Sequence, residues 1–171
     1  MSLYKKRSRQ KVNMELRTGF GYDIHRLKEG KSILLGGVEI PAEVMTEAHS
    51  DGDLVYHSIA QAIFSALGLE DIGTYFPDNS KTTENMDSSL IVLKALEEMK
   101  KKQFDINNIV IDIVAQTPRL SNYKQLIKES ISEILSLPVD KIAVHANTGE
   151  RVGPVGRKEA IECYCQLLLI K

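Results

Sequence analysis

The sequence predicts a two-layer α/β (α+β) domain, and three observations carry that expectation. Stretches in which apolar residues alternate are interleaved with stretches in which they recur at helical spacing, the pattern of strands packed by helices. Every helical stripe has only one apolar face. No repeat, low-complexity tract or linker interrupts the 171 residues, which amount to about one domain's length of chain.

Taken in order, residues Met1 to Asn13 are basic, polar and aperiodic, with Lys5, Lys6, Arg7, Arg9 and Lys11 close together. They are expected to be a disordered extension of a single domain covering residues 14–171. Leu16 to His25 reads as a strand with Leu16, Thr18, Phe20, Tyr22 and Ile24 on one face, which puts Asp23 and His25 at the strand's end. Ser32 to Ile40 reads as a hairpin turning at Gly36-Gly37. From Gly52 to Leu67, the residues Val55, Ile59, Ala62, Ile63, Ala66 and Leu67 make a helical stripe that stops at Gly68. Asp71 to Lys81 is rich in turn residues and reads as a loop, and Val92, Ala95, Leu96 and Met99 give a second helix. Phe104 to Gln116 alternates as a strand, with Ile109, Ile111 and Ile113 on one face and Val110, Asp112 and Val114 on the other. Arg119 to Leu135 is helical again, with Ile127, Ile131, Ile134 and Leu135 inward and Pro138 as the stop. Ile142 to Asn147 and Ala160 to Ile170 are the last strands, the second placing Ile161, Cys163, Cys165, Leu167 and Leu169 together. Two cysteines two apart on one strand face suit reduced core thiols better than a disulfide.

A formal net charge of −1 leaves no electrostatic footprint for nucleic acid or an anionic membrane. Apolar runs such as Leu167 to Ile170 are too short to span a bilayer, and the N-terminus lacks a signal peptide's apolar core. A cytoplasmic protein is expected, or one of a plastid-type organelle stroma in a eukaryote.

The chemistry concentrates in Gly21-Tyr-Asp-Ile-His25 and His49-Ser-Asp-Gly-Asp-Leu-Val-Tyr-His57. Asp23 and His25 leave the same face of an extended segment, about 7 Å apart at Cα. His57, one turn into the helix, is the natural third ligand. Two imidazoles and a carboxylate suit zinc, with a fourth position open. Read singly, Asp-x-His is an ordinary strand-end pair, and Ser50, Asp51 and Asp53 are ordinary helix-capping residues. Asp51 and Asp53 could also orient a histidine through its second nitrogen, with Asp53 favoured because it lies one turn from His57.

These two segments, with Leu34-Leu-Gly-Gly-Val-Glu-Ile-Pro41, Asp71-Ile-Gly-Thr-Tyr-Phe-Pro-Asp78, Ala115-Gln-Thr-Pro-Arg-Leu120, Ala146-Asn-Thr-Gly-Glu150 and Gly156-Arg-Lys-Glu159, resemble the 2-C-methyl-D-erythritol 2,4-cyclodiphosphate synthase family of non-mevalonate isoprenoid synthesis. The motifs fall in the family's order from about Arg17 to the C-terminus. The resemblance implies a mixed β-sheet with helices on one face, assembled as a homotrimer with active sites between subunits. It implies zinc at Asp23, His25 and His57, and magnesium or manganese at Glu150 together with the substrate diphosphate. It further implies that His49, Thr148 and Asp53 serve catalysis. Ser50, Asp71, Gly73, Ala115, Arg119, Leu120, Ala146, Asn147, Thr148 and Arg157 are then expected to hold a cytidine diphosphate substrate, with Arg157 and Glu159 in a charged cluster near the trimer axis.

The implied reaction releases CMP and closes a cyclic diphosphate by intramolecular phosphoryl transfer. A zinc-dependent phosphohydrolase or a catalytically silent nucleotide-binding relative are the alternatives. The sequence departs from the family's pattern at Gln61, where most members carry Asp, at Asn147 and Gly149 within a run of threonines, at Arg119 for Lys, and at Pro154 for Phe. The proposed metal ligands are all retained.

Overall fold

The computed structural model describes residues 14–77 and 86–171. The extension Met1 to Asn13 and the part of the expected loop from Asp78 to Lys81 lie outside those residues. Strands β1 (Leu16–Glu29), β4 (Val44–Glu47), β5 (Asp105–Val114), β6 (Ile142–Asn147) and β7 (Ala160–Ile170) form one sheet in the order β4-β1-β7-β5-β6. Among the described residues only β5 and β6 are parallel, so the sheet is mixed. Strands β2 (Ser32–Leu35) and β3 (Val38–Pro41) make a separate hairpin. Its turn needs two residues with positive φ, and Gly36 and Gly37 supply φ of 60° and 76°.

Helices α1 (Leu54–Leu67) and α4 (Lys124–Leu135) pack on the sheet and α3 (Ser89–Lys101) packs against both, while the short helices α2 (Ile72–Tyr75) and α5 (Gly153–Gly156) lie in the α1–α3 and β6–β7 connections. Helix α1 is the central one. Asp53 caps its start, Gly68 ends it in the left-handed conformation with φ 63°, and most of its residues are buried because it packs against β1, β7 and α3 together. The core fills the space between layers with Ile33, Leu35, Ile59, Ile63, Phe64, Ile111, Ile113, Ile127 and Ile161 among its closed side chains, and Cys163 and Cys165 lie in it as free thiols.

Three expectations are corrected. The β1 strand runs on to Glu29, pairing with β4 through Arg26 to Glu29, so Asp23 and His25 lie well inside a 14-residue strand. Its apolar series Leu16, Phe20, Tyr22 and Ile24 faces away from the helices and stays exposed. The helix-facing series is Gly19, Gly21, Asp23 and His25, because α1 approaches so closely that a Cβ on Gly19 or Gly21 would strike the carbonyl oxygens of Ala62 or Ser58. Helix α4 begins at Lys124, after the turn in which Leu120 carbonyl accepts the Tyr123 and Lys124 N–H groups at 2.9 and 3.1 Å. The Asp71 loop contains a helical turn, α2, capped by the Asp71 carboxylate.

Candidate functional site

The site grows from the junction of β1 with the N-terminus of α1. Side chains on alternate residues of β1 point toward α1, and the absence of Cβ atoms at Gly19 and Gly21 lets that helix come down until His57, on its first turn, meets Asp23 and His25. One Asp23 carboxylate oxygen, Oδ2, lies 3.4 Å from His25 Nδ1 and 3.2 Å from His57 Nδ1. One ligand atom from each of the three residues falls within 4.8 Å of the others.

The electrostatics fit a cation. Among the described residues, Asp23 Oδ2 and His25 Nδ1 are both buried without a hydrogen-bond partner, an arrangement that costs free energy unless something positive sits among them. Burial also lowers the His25 pKa from its ordinary value, outweighing the upward pull of Asp23, and so favours the neutral imidazole that binds metals. Asp23, His25 and His57 therefore form a candidate site for a divalent metal ion.

Around the trio is a cleft of about 470 Å³, with His49, Ser50, Gln61 and Gly73 among its walls and Ile72, Phe76, Met86 and Ile91 on its apolar side. The loop carrying His49 and Ser50 turns at Gly52, whose φ is 78° and whose missing side chain leaves room for Thr46 of β4. Asp71 accepts from Thr74 N at 3.1 Å and Thr74 Oγ1 at 3.0 Å, fixing the helical turn that presents Gly73 to the cleft.

The Asp53 carboxylate is not in the cleft. It is fully buried, and its oxygens accept the N–H groups of Gly36 at 2.8 Å, Gly37 at 2.6 Å, and Val55 and Tyr56 at 3.1 Å each. All its capacity is spent on backbone, so the expectation that Asp53 orients a histidine is corrected: it ties the β2–β3 hairpin to α1. Its carboxyl is pushed up to about 6 by burial, against the pull of those N–H donors. The second nitrogen of His57 instead faces Ser88 Oγ at 3.0 Å and Ser50 Oγ at 3.4 Å. Ser88 went unread in the sequence. It lies 31 positions from His57, and its only local signal, Asp87-Ser88-Ser89, reads as a helix start.

The remaining predicted residues gather elsewhere. Ala115, Arg119 and Leu120 follow β5, and Ala146, Asn147, Thr148 and Glu150 end β6 and begin the next loop. Ala115 N–H donates to Asn147 carbonyl at 2.9 Å, Asn147 Nδ2 to Asp112 Oδ1 at 2.6 Å, and Thr148 Oγ1 to Glu150 Oε1 at 2.6 Å. Glu150 has φ of 48°, a strained value for a residue with a side chain. Arg157 pairs with Glu159 through two contacts of 2.9 Å, both side chains exposed. None of these residues lines the cleft at Asp23, His25 and His57, and the strand order puts β7 between β1 and the β5–β6 pair that carries this second group.

The sequence signature of the YgbB family matches residues 16–170. The chain belongs to the YgbB family. Among its relatives, the 2-C-methyl-D-erythritol 2,4-cyclodiphosphate synthase of Leptospira borgpetersenii is 42% identical over 157 residues, covering 91% of this chain and 98% of that protein. The apicoplast enzyme of that name from Plasmodium falciparum is 37% identical over 192 residues, covering 99% of this chain and 80% of that protein. Among solved structures, Plasmodium falciparum IspF in complex with CDP superposes with a TM-score of 0.80 at 42% identity, covering 91% of this chain and 96% of that one. The bifunctional IspDF of Campylobacter jejuni gives a TM-score of 0.87 at 36% identity, covering 91% of this chain and 42% of that one. This YgbB family member thus has the mixed sheet and one-sided helix layer expected of it. Among its described residues no helix is long and apolar enough to cross a membrane.

Proposed function

We propose that the chain converts 4-diphosphocytidyl-2-C-methyl-D-erythritol 2-phosphate to 2-C-methyl-D-erythritol 2,4-cyclodiphosphate and CMP, in an active site completed by a neighbouring copy. The observation that carries this reading is the division of the predicted residues. The metal trio and its cleft lie at β1 and α1, while the residues implied for cytidine and the α-phosphate lie beyond β5 and β6 and do not line that cleft. Substrate spanning both sets needs the second set from another protomer, and the exposed apolar face of the sheet, with Phe20, Tyr22, Ile24 and Tyr164, is the surface such a neighbour would cover.

In the reaction an oxygen of the 2-phosphate forms a bond to the β-phosphorus, and the bond from that phosphorus to the bridging oxygen breaks, so that CMP leaves. Little covalent help is required, and rate comes from positioning and charge neutralisation. Zinc held by Asp23, His25 and His57, and magnesium or manganese held by Glu150, would supply that positive charge to the diphosphate. His49 and Ser50 in the wall of the cleft orient the phosphates, and Thr148 does so from the facing side. Asp71 and Gly73 receive the ribose. Ala115, Arg119, Leu120, Ala146 and Asn147 enclose the cytosine, with Arg157 near the subunit junction. The reading places the enzyme in an aqueous compartment, the cytoplasm or a plastid-type organelle.

The test is incubation of purified protein with the cytidylated substrate in water enriched in heavy oxygen. CMP and a cyclic product without solvent oxygen are expected. A linear product carrying solvent oxygen would make the chain a phosphohydrolase, and no product would make it a silent relative.

A further inference from the structure

Ser88 joins a carboxylate to a metal-site imidazole through a hydroxyl that has one hydrogen to give. It is completely buried just ahead of α3, yet its side chain makes no cap to that helix. Its Oγ donates to Asp51 Oδ1 at 2.5 Å and its N–H donates to Asp51 Oδ2 at 3.0 Å. The same Oγ stands 3.0 Å from His57 Nε2. With its hydrogen committed to Asp51, the hydroxyl can meet His57 only as an acceptor, so Nε2 carries the hydrogen. A neutral imidazole protonated on Nε2 has a bare Nδ1, and Nδ1 is the atom that lies 3.2 Å from Asp23 Oδ2.

The carboxylate at the far end is itself held from both sides. Asp51 N–H donates to Met86 carbonyl at 3.1 Å, and Asp51 Oδ1 also accepts the Asp53 N–H at 3.1 Å. The relay therefore connects the segment entering α1 with the segment entering α3. Ser50 Oγ adds a second oxygen 3.4 Å from Nε2, and it is fixed in turn by the Gly52 N–H at 3.2 Å.

We propose that Ser88 and Asp51 are positioning residues that hold His57 in the Nε2–H tautomer with Nδ1 directed at the metal, an inference that rests on the metal reading of Asp23, His25 and His57. Metal-ligating histidines depend on such partners for ring orientation and basicity. Neither residue need touch substrate.

The first test uses metal-free wild-type protein labelled with nitrogen-15 at histidine, in which long-range proton–nitrogen correlation reads the His57 tautomer. A single species with hydrogen on Nε2 is expected, and hydrogen on Nδ1 overturns the relay. The second compares zinc affinity by competition with a chromophoric chelator. Ser88→Ala should bind zinc roughly 10–100-fold more weakly and show mixed tautomers, while Ser88→Thr, which keeps the hydroxyl, should stay near wild type. Wild-type zinc affinity and an unchanged tautomer in Ser88→Ala would refute the proposal. If Ser88→Ala does not fold, the wild-type tautomer decides alone. Zinc bound by wild type with the wrong tautomer sinks the relay only; a wild type that binds no zinc sinks the metal reading and the relay with it.

Discussion

The three metal-site residues differ in what their loss removes. His57→Ala takes away a ligand supplied by the helix and leaves two on one strand, an incomplete set for zinc. Zinc content should fall from about one per chain to near zero by elemental analysis, and turnover should drop roughly 100-fold or more, since Lewis-acid charge stabilisation is worth several kcal/mol. Glu150→Gln should leave zinc in place while raising the magnesium concentration needed for half-maximal activity, because a neutral amide is a poorer ligand for a hard cation; an unchanged magnesium titration would return Glu150 to the solvent-facing loop. His25 gives a pH signature in the metal-free protein. Burial lowers its pKa below the ordinary 6.5, so between those two values the unfolded chain binds a proton that the folded chain refuses. Stability should therefore fall as pH drops below about 6.5 and level off once the folded-state pKa is passed. Melting curves of metal-free protein from pH 8 to pH 5, compared with His25→Gln, check the sign. The metal trio was legible because Asp-x-His on a strand and a histidine one helical turn past a polar loop are local patterns. Asp53 was misjudged because being one turn from His57 says nothing of direction, and its oxygens turn the other way, to Gly36 and Gly37.

Among the elements, those with their own punctuation were readable: α1 between Asp53 and Gly68, the hairpin at Gly36-Gly37, and β6 and β7 to the residue. The β4 strand, Val44–Glu47, was not, because four residues carry no period and its existence depends on pairing with the late part of β1. The start of α4 was set too early because Arg119 to Tyr123 has helix-compatible residues without a capping side chain. Which side of β1 faces inward was also hidden. Alternation gives two faces, and here the glycine face is the covered one because backbone, rather than side chains, packs there. Gly21→Ala tests this directly. A methyl group at that position strikes the Ser58 carbonyl, so α1 must lift. Denaturant unfolding should show a loss of about 1–3 kcal/mol, the usual cost of overpacking, and zinc affinity should weaken because His57 rides on the displaced helix.

At the scale of the whole molecule the exposed sheet face and the division of the predicted residues both bear on the proposed trimer. Phe20→Asp changes a side chain that is 56% exposed in the isolated chain, so the protomer should keep its fold. On an interface it would bury a charge, and sedimentation should show loss of trimers together with loss of activity. An unaffected oligomer would remove this face from the assembly. Co-expression of His57→Ala with Thr148→Ala gives a complementary check. Each alone should be crippled, and in a closed trimer containing both types at least one junction restores an intact site; activity no greater than the parents' average in verified mixed trimers would confine the site to one subunit. Asp53 has a consequence of another kind. Amide protons in a surface turn ordinarily trade with solvent within easy reach of local fluctuations, but those of Gly36 and Gly37 end on a carboxylate that also holds the first turn of α1. Their exchange with deuterium should therefore be as slow as that of the core of α1, since neither can open without the other. A two-residue hairpin tip becomes a reporter of the cooperative unfolding of the central helix.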